Sequence, residues 1–361
     1  MAFAVRAIGA AGPQEKLAPL TVNRRAPDDD DVVIDIQYCG ICQSDIHTVR
    51  GQMGPTVGYP MVPGHEIVGV VRSTGKNVSS FKPGDRVGVG CMVDSCRTCR
   101  NCSEGEESYC TGNDTVRSSV LTYNGKNPKE NFEPTVGGYS ESIVVDYRYV
   151  LRIPDALPSD SAAPLLCAGI TMFSALRHWK TGPDSRIAII GIGGLGHVGV
   201  KLAAAMGAHV TALSHSPGKR ELAQSLGAHD YYATSDPSTF ASLVDHFDLI
   251  INTTSAELKL DRFLRMLHRD GTFVEAGVPE HSLTIHPFSV LFGRHSLAGT
   301  MIGGIRETQE MLDFCAKHKI TADIEVVPAS YINEAYERVL KSDVRFRFVV
   351  DMSTIHGNKL E

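Results

Sequence analysis

The residues best suited to chemistry lie in a short stretch near the start of the chain. Cys42 offers a thiolate, Ser44 a hydroxyl and His47 an imidazole. Further along, His65 and Cys167 offer two more ligands of the kind that zinc prefers. Zinc held by two thiolates and one imidazole keeps a fourth position open for a reacting oxygen. We therefore predict a catalytic zinc site formed by Cys42, His65 and Cys167.

Two carboxylates flank this predicted site. Asp45 is expected to orient His65 by accepting its remaining N–H, and Glu66 is expected to support the site or to act as a transient ligand. The structural alternatives are a turn cap for Asp45, a surface charge for Glu66, a structural histidine for His65, a turn hydroxyl for Ser44, a surface histidine for His47 and a core cysteine for Cys167.

A second group of cysteines has the spacing Cys96-x-x-Cys99-x-x-Cys102-x7-Cys110. Four thiolates this close in sequence can surround one tetrahedral zinc ion and leave no open position, which is a structural site. Disulfides or a redox pair are the alternatives, but metal binding explains nine cysteines better in a reducing compartment. We interpret the remaining Cys39, Cys91 and Cys315 as small buried apolar residues.

A glycine-rich turn follows the apolar run 187–190 and precedes a helical pattern, with glycines at 191, 193, 194 and 196 and Leu195 among them. In this setting the glycines of G-x-G-x-x-G allow a pyrophosphate to approach the helix N-terminus. Strands and helices then alternate as far as residue 275, which predicts a doubly wound parallel sheet of the Rossmann type over 156–298. The alternative is a glycine-rich turn that binds no ligand.

The residues after the second predicted strand, 209–213, indicate which dinucleotide binds. An NAD site usually carries an acidic residue there, which accepts a hydrogen bond from the ribose 2′-OH. This chain has Ser214, His215, Ser216 and Lys219 instead. Hydroxyls, an imidazole and a cation can bind a 2′-phosphate, so we predict NADP(H) as the cofactor. The alternative is that these are exposed residues at a helix start.

The flanking segments have a different pattern. Residues 1–155 contain short strand-like runs between glycine and proline turns, which predicts a mostly β domain. The last strand-like run, 346–350, is expected to return to this domain and so to join 299–361 to it. We interpret the acidic run 28–31 as a solvated loop and 111–138 as a long loop, either bordering a substrate cleft or forming a surface insertion. Residues 356–361 are not assigned to any predicted element of the fold.

Composition excludes several classes of function. The chain has 361 residues, a net charge of −6, 42% hydrophobic residues and 21% charged residues. This charge disfavours nucleic acid or an anionic membrane as a partner. Apolar runs fall short of the roughly 18 residues needed to span a bilayer, and the N-terminal residues lack the apolar core of a signal peptide. We therefore expect a cytoplasmic protein.

Taken together, these motifs resemble the zinc-dependent medium-chain alcohol dehydrogenases, and within them the cinnamyl alcohol dehydrogenase branch. The resemblance covers nearly the whole chain. Its carriers are the segments 40–47, 64–66, 96–110, 167–171, 191–197, 303–311 and 343–348. It implies a GroES-like β domain split around the Rossmann domain, a cofactor contact from Thr171, and a homodimer.

The resemblance also implies an activity, hydride transfer between NADP(H) and a primary alcohol or aldehyde, either aromatic (cinnamyl) or medium-chain aliphatic. Ser44, where many branch members have threonine, would hydrogen-bond the substrate hydroxyl, and a proton relay would run through the nicotinamide ribose to His47. Ser214, Ser216 and Lys219 fall where the branch holds the 2′-phosphate. Two zinc ions per chain are expected.

Two alternatives remain open at this point. One is a nucleotide-binding redox sensor without catalysis, and the other is a zinc-free quinone reductase of the same superfold. A sensor has no need to keep Cys42, His65, Cys167, Ser44 and His47 together, which disfavours the first alternative. The four-cysteine lobe and Cys42 disfavour the second.

Overall fold

The computed structural model describes residues 1–54, 56–279 and 282–355. The chain divides into two compact units. Unit 1 is Met1–Cys167 together with the segment from Gly303 onward, and unit 2 is Ala168–Ile302. These breaks fall after the predicted boundaries at 155 and 298. Residues 356–361, which are not assigned to any predicted element, lie outside the described residues.

The strands among the described residues are, in chain order, β1 (Phe3–Gly9), β2 (Ala18–Arg24), β3 (Asp31–Ile41), β4 (Ile67–Thr74), β5 (Arg86–Val89), β6 (Met92–Asp94), β7 (Val120–Leu121), β8 (Ser142–Asp146), β9 (Leu151–Arg152), β10 (Arg186–Ile190), β11 (His209–Ser214), β12 (Asp230–Ala233), β13 (Phe247–Asn252), β14 (Leu267–Glu275), β15 (Ser296–Gly299), β16 (Ile324–Pro328) and β17 (Arg347–Asp351).

The α-helices are α1 (Gln43–Val49), α2 (Arg100–Glu104), α3 (Ser159–Ala162), α4 (Ala168–His178), α5 (Gly196–Ala205), α6 (Arg220–Ser225), α7 (Pro237–Ser242), α8 (Leu260–Leu264), α9 (Phe288–Leu291), α10 (Ile305–His318) and α11 (Ile332–Leu340). Short 3-10 turns join several of them.

Unit 1 is built on a seven-stranded sheet with the order β16-β17-β3-β4-β5-β9, in which β8 also pairs with β3. The β-branched run Val32–Ile34 of β3 is buried, and β4 and β8 pair with its backbone on the two edges. Two antiparallel pairings position the site. β4 aligns Ile67 with Cys39, and β17 aligns Phe348 with Ile41. The predicted return of the last strand to this domain is therefore observed.

Unit 2 contains a six-stranded sheet, β12-β11-β10-β13-β14-β15, and every adjacent pair in it is parallel. In chain order this arrangement reads 3-2-1-4-5-6, the order of a doubly wound dinucleotide-binding sheet. Apolar residues of β10, β13 and β14 pack with Phe247, Leu260 and Phe263 in one buried cluster. The predicted Rossmann fold is confirmed, and ligands of such sheets bind beyond the carboxyl ends of the strands.

Two local predictions were wrong. Within the predicted alternation, the pattern at 258–267 predicts a helix, but α8 is shorter and β14 already begins at Leu267. The acidic run 28–31 is predicted to be a solvated loop, yet Asp31 is the first residue of β3 and is fully buried. Its carboxylate accepts from Arg25 Nη2 at 2.8 Å and pairs with Lys129 Nζ at 3.4 Å. These two cations compensate for its loss of water.

In the described part of the chain, no single helix has the length and apolar composition to cross a membrane. The segments Ser159–Leu166 and Ala168–His178 meet that test only when they are taken together across a bend. Nearly all of their residues from 161 to 176 are buried within the protein.

Candidate active site

The first site is organised by the junction of β3 and α1. Cys42 is the residue between this strand and this helix, and α1 carries Ser44 and His47 one turn apart, hence on one face. The His47 ring is held on both sides, with Nδ1 2.7 Å from Gln52 Oε1 and Nε2 3.1 Å from Gln43 Nε2. The fold therefore places both predicted relay residues next to Cys42 along the chain.

The pairing of β3 with β4 brings a cluster of ligand atoms together. One atom each from Cys42, His65, Glu66 and Cys167 lies within 4.8 Å of the others. The two sulfur atoms are 4.0 Å apart. Two thiolates bound to tetrahedral zinc through bonds of about 2.3 Å lie about 3.8 Å apart, so the donor set fits this metal. All four residues belong to unit 1.

Asp45 is fully buried and accepts four hydrogen bonds. Oδ1 accepts from His65 Nδ1 at 2.9 Å and from Gly64 N at 3.1 Å, while Oδ2 accepts from Cys42 N at 2.9 Å and from Tyr139 Oη at 3.2 Å. Because a carboxylate only accepts, Nδ1 of His65 carries the proton and Nε2 is left for a metal. This geometry supports the orienting role predicted for Asp45.

Glu66 is also fully buried, and Gly40 provides the space for it. A Cβ at position 40 would lie 1.9 Å from Glu66 Oε2. Arg347 Nη2 lies 3.2 Å from Glu66 Oε1, but neither carboxylate oxygen has an aligned hydrogen bond within the described residues. Burial raises the pKa of Glu66 to about 7, and the Arg347 charge opposes that rise. Glu66 is thus held beside the cluster with oxygens available to a metal or to water.

Sequence reasoning missed three residues of this site. Arg347 lies on β17 and also donates to Ile41 O at 3.2 Å, and Tyr139 reaches Asp45 from the segment before β8. Cys91 was interpreted as a buried apolar residue, but it is half-buried and adjacent to Cys167. Arg347 lies in the segment 343–348 that carries the resemblance, but its contact with Glu66, like the contacts of Tyr139 and Cys91, depends on the tertiary fold.

The second cysteine cluster is closed. The sulfur atoms of Cys96, Cys99, Cys102 and Cys110 lie within 4.8 Å of one another, with 3.9 Å between those of Cys96 and Cys102. Backbone N–H groups point at the sulfurs, from Cys99 to Cys96 at 3.3 Å and from Cys96 to Cys110 at 3.4 Å. All nine cysteines are free, so the arrangement fits four thiolates around a structural zinc ion.

In unit 2 the glycine turn joins β10 to α5 at the carboxyl edge of the sheet. Gly191 has a φ of +90°, and a Cβ at Gly196 would lie 1.8 Å from the Gly191 carbonyl oxygen. A Cβ at Gly193, in contrast, would meet nothing within 4 Å. The turn therefore closes tightly on one side and leaves open space beside the N-terminus of α5, where a pyrophosphate fits. Gly194 and Leu195 complete the turn.

The predicted 2′-phosphate residues follow β11. Ser214 is buried at the end of the strand, whereas His215 and Ser216 are exposed. Lys219 Nζ donates to Ile192 O at 3.2 Å, which holds this cation against the glycine turn. Thr171 is buried on α4, and Met172 beside it packs on Gly199 of α5.

A nucleotide-binding sheet together with one open and one closed cysteine-containing cluster defines the class of zinc-binding dehydrogenases. Residues 28–155 match the alcohol dehydrogenase GroES-like domain, and residues 194–317 match the zinc-binding dehydrogenase domain. The chain belongs to the zinc-dependent medium-chain alcohol dehydrogenase family.

Particular members of the family are similar to this chain over nearly their full length. An NADP-dependent alcohol dehydrogenase C from Mycobacterium bovis is 56% identical over 97% of this chain and 99% of its own. The structure of a cinnamyl alcohol dehydrogenase from Sorghum bicolor has a TM-score of 0.93 at 41% identity and covers 99% of both chains. The crystal structure of a protein named CAD from Helicobacter pylori, complexed with NADP(H), has a TM-score of 0.90 at 37% identity, and the match covers 98% of this chain and 99% of that one.

Proposed function

We propose that this chain is a zinc-dependent alcohol dehydrogenase and aldehyde reductase that uses NADP(H). The observation that carries the proposal is the buried cluster of Cys42, His65 and Cys167, because this donor set leaves one zinc position for a substrate oxygen. The relatives named as NADP-dependent alcohol dehydrogenase and as cinnamyl alcohol dehydrogenase support alcohols as a substrate class. From the family resemblance we take these substrates to be primary alcohols and aldehydes, aromatic or medium-chain aliphatic.

When bound, zinc supplies a Lewis acid for the substrate oxygen, and NADPH supplies the hydride. The residues of the chain bind and orient the reacting groups and move the proton. Asp45 holds His65 in the tautomer that leaves Nε2 as a ligand. Ser44 would hydrogen-bond the substrate hydroxyl, and the proton would pass through the nicotinamide ribose to His47, which lies on the same helical face as Ser44. Arg347 keeps a positive charge beside Glu66, which favours an ionised carboxylate there.

The sites in unit 2 would hold the cofactor. The open face of the glycine turn, from Gly191 to Gly196, would take the pyrophosphate. The hydroxyls of Ser214 and Ser216, the His215 ring and the Lys219 ammonium would bind the 2′-phosphate, and Thr171 would contact the cofactor from α4.

The proposal is tested by metal content and turnover together. Protein prepared without chelator should contain about two zinc ions per chain and should reduce benzaldehyde, cinnamaldehyde or hexanal with NADPH. Cys42→Ser should abolish turnover and keep NADPH binding, whereas Cys315→Ser, at a cysteine outside both clusters, should keep turnover. Less than one zinc ion per chain, or near-normal turnover of Cys42→Ser, would contradict the proposal.

We further propose that the protein is a homodimer paired through β15. This strand forms one end of the described sheet in unit 2, and an edge strand invites pairing with another strand. Apolar side chains around it are exposed, with Leu291 63% and Phe292 85% accessible, and Leu297 lies on the strand itself. A second copy of the same edge would cover this patch symmetrically.

Sedimentation velocity tests this assembly. The unmutated chain should sediment as a dimer, and Phe292→Asp should shift it toward monomer. Val326→Asp, at an exposed apolar residue of unit 1, is the control and should remain dimeric. A monomer at micromolar concentration would exclude the dimer.

We also propose a cytoplasmic location. The free state of all nine cysteines agrees with a reducing compartment.

A further inference from the structure

Glu275 ends β14 at the carboxyl edge of the nucleotide-binding sheet, in register with Asn252 of β13. Its Oε1 accepts from Asn252 Nδ2 at 2.7 Å and from Gly277 N at 3.2 Å. Its Oε2 is buried and makes no hydrogen bond with the residues that the structure describes. A carboxyl group with one satisfied oxygen and one unsatisfied oxygen is unusual inside a protein, and it calls for a functional explanation.

Asn252 also contacts the loop that follows β13. Its Oδ1 accepts from Thr254 N at 3.1 Å and from Thr254 Oγ1 at 2.9 Å. The neighbouring Thr253 Oγ1 donates to Ile190 O at 2.8 Å and lies 3.2 Å from Gly191 O. These contacts, with the backbone that connects Asn252, Thr253 and Thr254, join Glu275 to the first glycine of the turn.

The loops on this path are also packed too closely to move independently. A Cβ at Gly277 would lie 2.0 Å from Thr254 O, and a Cβ at Gly191 would lie 2.3 Å from Thr254 Cγ2. A rearrangement at Glu275 must therefore displace the loop after β13 and, through it, the glycine turn.

The charge of Glu275 changes in the neutral range. Burial raises the pKa of Glu275 to about 7, against the lowering effect of the bonds from Asn252 and Gly277 N. No charged side chain of the described residues contributes to this pKa, so burial and two neutral donors set it. When ionised, Glu275 carries an uncompensated negative charge at the edge where an anionic dinucleotide would bind.

We propose that Glu275 is a positioning residue for the dinucleotide, and that it must carry its proton for the glycine turn to hold NADPH at full strength. The inference rests on the proposed function, because it requires NADPH to bind at this edge. The direction of the pH effect follows from the repulsion between like charges, because bound NADPH favours the protonated, neutral carboxyl of Glu275. NADPH binding is therefore accompanied by proton uptake, and the affinity for NADPH falls as the pH rises through 7.

Fluorescence titration of NADPH at pH 6.0 and pH 8.0 tests this inference. The unmutated protein should lose about fivefold in affinity between these values, the lower end of the usual coupling between two sites. Glu275→Gln keeps the shape of the side chain and the oxygen that accepts from Asn252. This variant should lose the fivefold difference in NADPH affinity between pH 6.0 and pH 8.0. Glu257→Gln makes the same change at an exposed residue in the loop before α8, and it should behave like the unmutated protein.

A Glu275→Gln protein with the same pH dependence as the unmutated one would overturn the inference while leaving the proposed function intact. A protein that binds no NADPH at either pH would instead overturn the proposed function, and this inference with it. Calorimetry of the unmutated protein in two buffers of different ionisation enthalpy provides a check without a variant. Net proton uptake near pH 7 is expected, and zero uptake would also overturn the inference.

Discussion

Tyr139 donates a hydrogen bond of 3.2 Å to Asp45, the carboxylate that orients His65. All three side chains are buried, so water does not replace this bond if it is lost. The candidate metal centre is therefore supported from a segment 94 residues away in sequence from Asp45. This support has a measurable consequence for zinc binding.

Tyr139→Phe should weaken zinc binding at the open site by about tenfold, since removal of an outer partner of a metal ligand commonly costs 10–100-fold. Competition with a chromogenic chelator measures the affinity of the more weakly held zinc ion. Tyr232→Phe is the matched control, because it makes the same change at a partly buried tyrosine of unit 2, outside both cysteine clusters. Equal zinc affinities in the two variants would show that the Tyr139 bond does not support the site.

Cys99→Ala should remove one zinc ion per chain and lower the unfolding temperature by several degrees. A closed zinc site contributes folding energy directly, and the segment around it contains little regular structure. Cys315→Ala makes the same change at a buried cysteine outside both clusters, and it should keep both zinc ions. Metal analysis and circular dichroism melting measure the two effects. An unchanged melting temperature in Cys99→Ala would contradict a structural role for that zinc.

Lys219→Ala should lower kcat/KM for NADPH by about tenfold or more and leave that for NADH nearly unchanged. A hydrogen bond to a charged group contributes about 1.5–3 kcal/mol, and only NADPH carries the 2′-phosphate. The steady-state rates of one aldehyde with each cofactor give the comparison. Lys259→Ala, at an exposed lysine of the same unit, should change neither value. A preference of the unmutated protein for NADH would remove the basis for this prediction.

Acid should destabilise the protein through Asp31. Burial by itself raises the pKa of Asp31, but the bonds from Arg25 and the Asp28 N–H, with the Lys129 charge, bring it well below its ordinary value. A lowered native pKa stabilises the fold above the unfolded value of about 3.9, and this contribution is lost as the pH falls below it. The free energy of unfolding should therefore decline below about pH 4.

Asp31→Asn should cost about 3 kcal/mol at pH 7, because it leaves Arg25 and Lys129 without their buried partner. It should also flatten the decline in acid. Urea unfolding at pH 7.0 and pH 3.5 measures both effects. Asp29→Asn is the control, since the Asp29–Lys76 pair is exposed to solvent and should contribute little to stability. A variant with the same pH dependence as the unmutated protein would exclude Asp31 as the group responsible.

The features that depend on local spacing can be predicted from the amino-acid sequence. Four cysteines within fifteen positions can reach one metal ion through a single loop. The glycines between a strand and a helix allow the backbone to turn tightly and to approach a pyrophosphate closely. The alternation of strands and helices after residue 187 likewise determined the doubly wound sheet, because each parallel strand needs a crossover helix.

Contacts between side chains that are distant in sequence depend on the tertiary fold. Glu66 pairs with Arg347, and Asp31 is buried beside Lys129, because antiparallel partners of β3 bring remote segments together. The charge of a residue is evident from its type, but its burial and its partners depend on pairings across the whole chain. For the same reason Glu275 looks like an ordinary strand-end residue in the sequence. Its unsatisfied oxygen and its pKa of about 7 exist only once β13 lies beside β14.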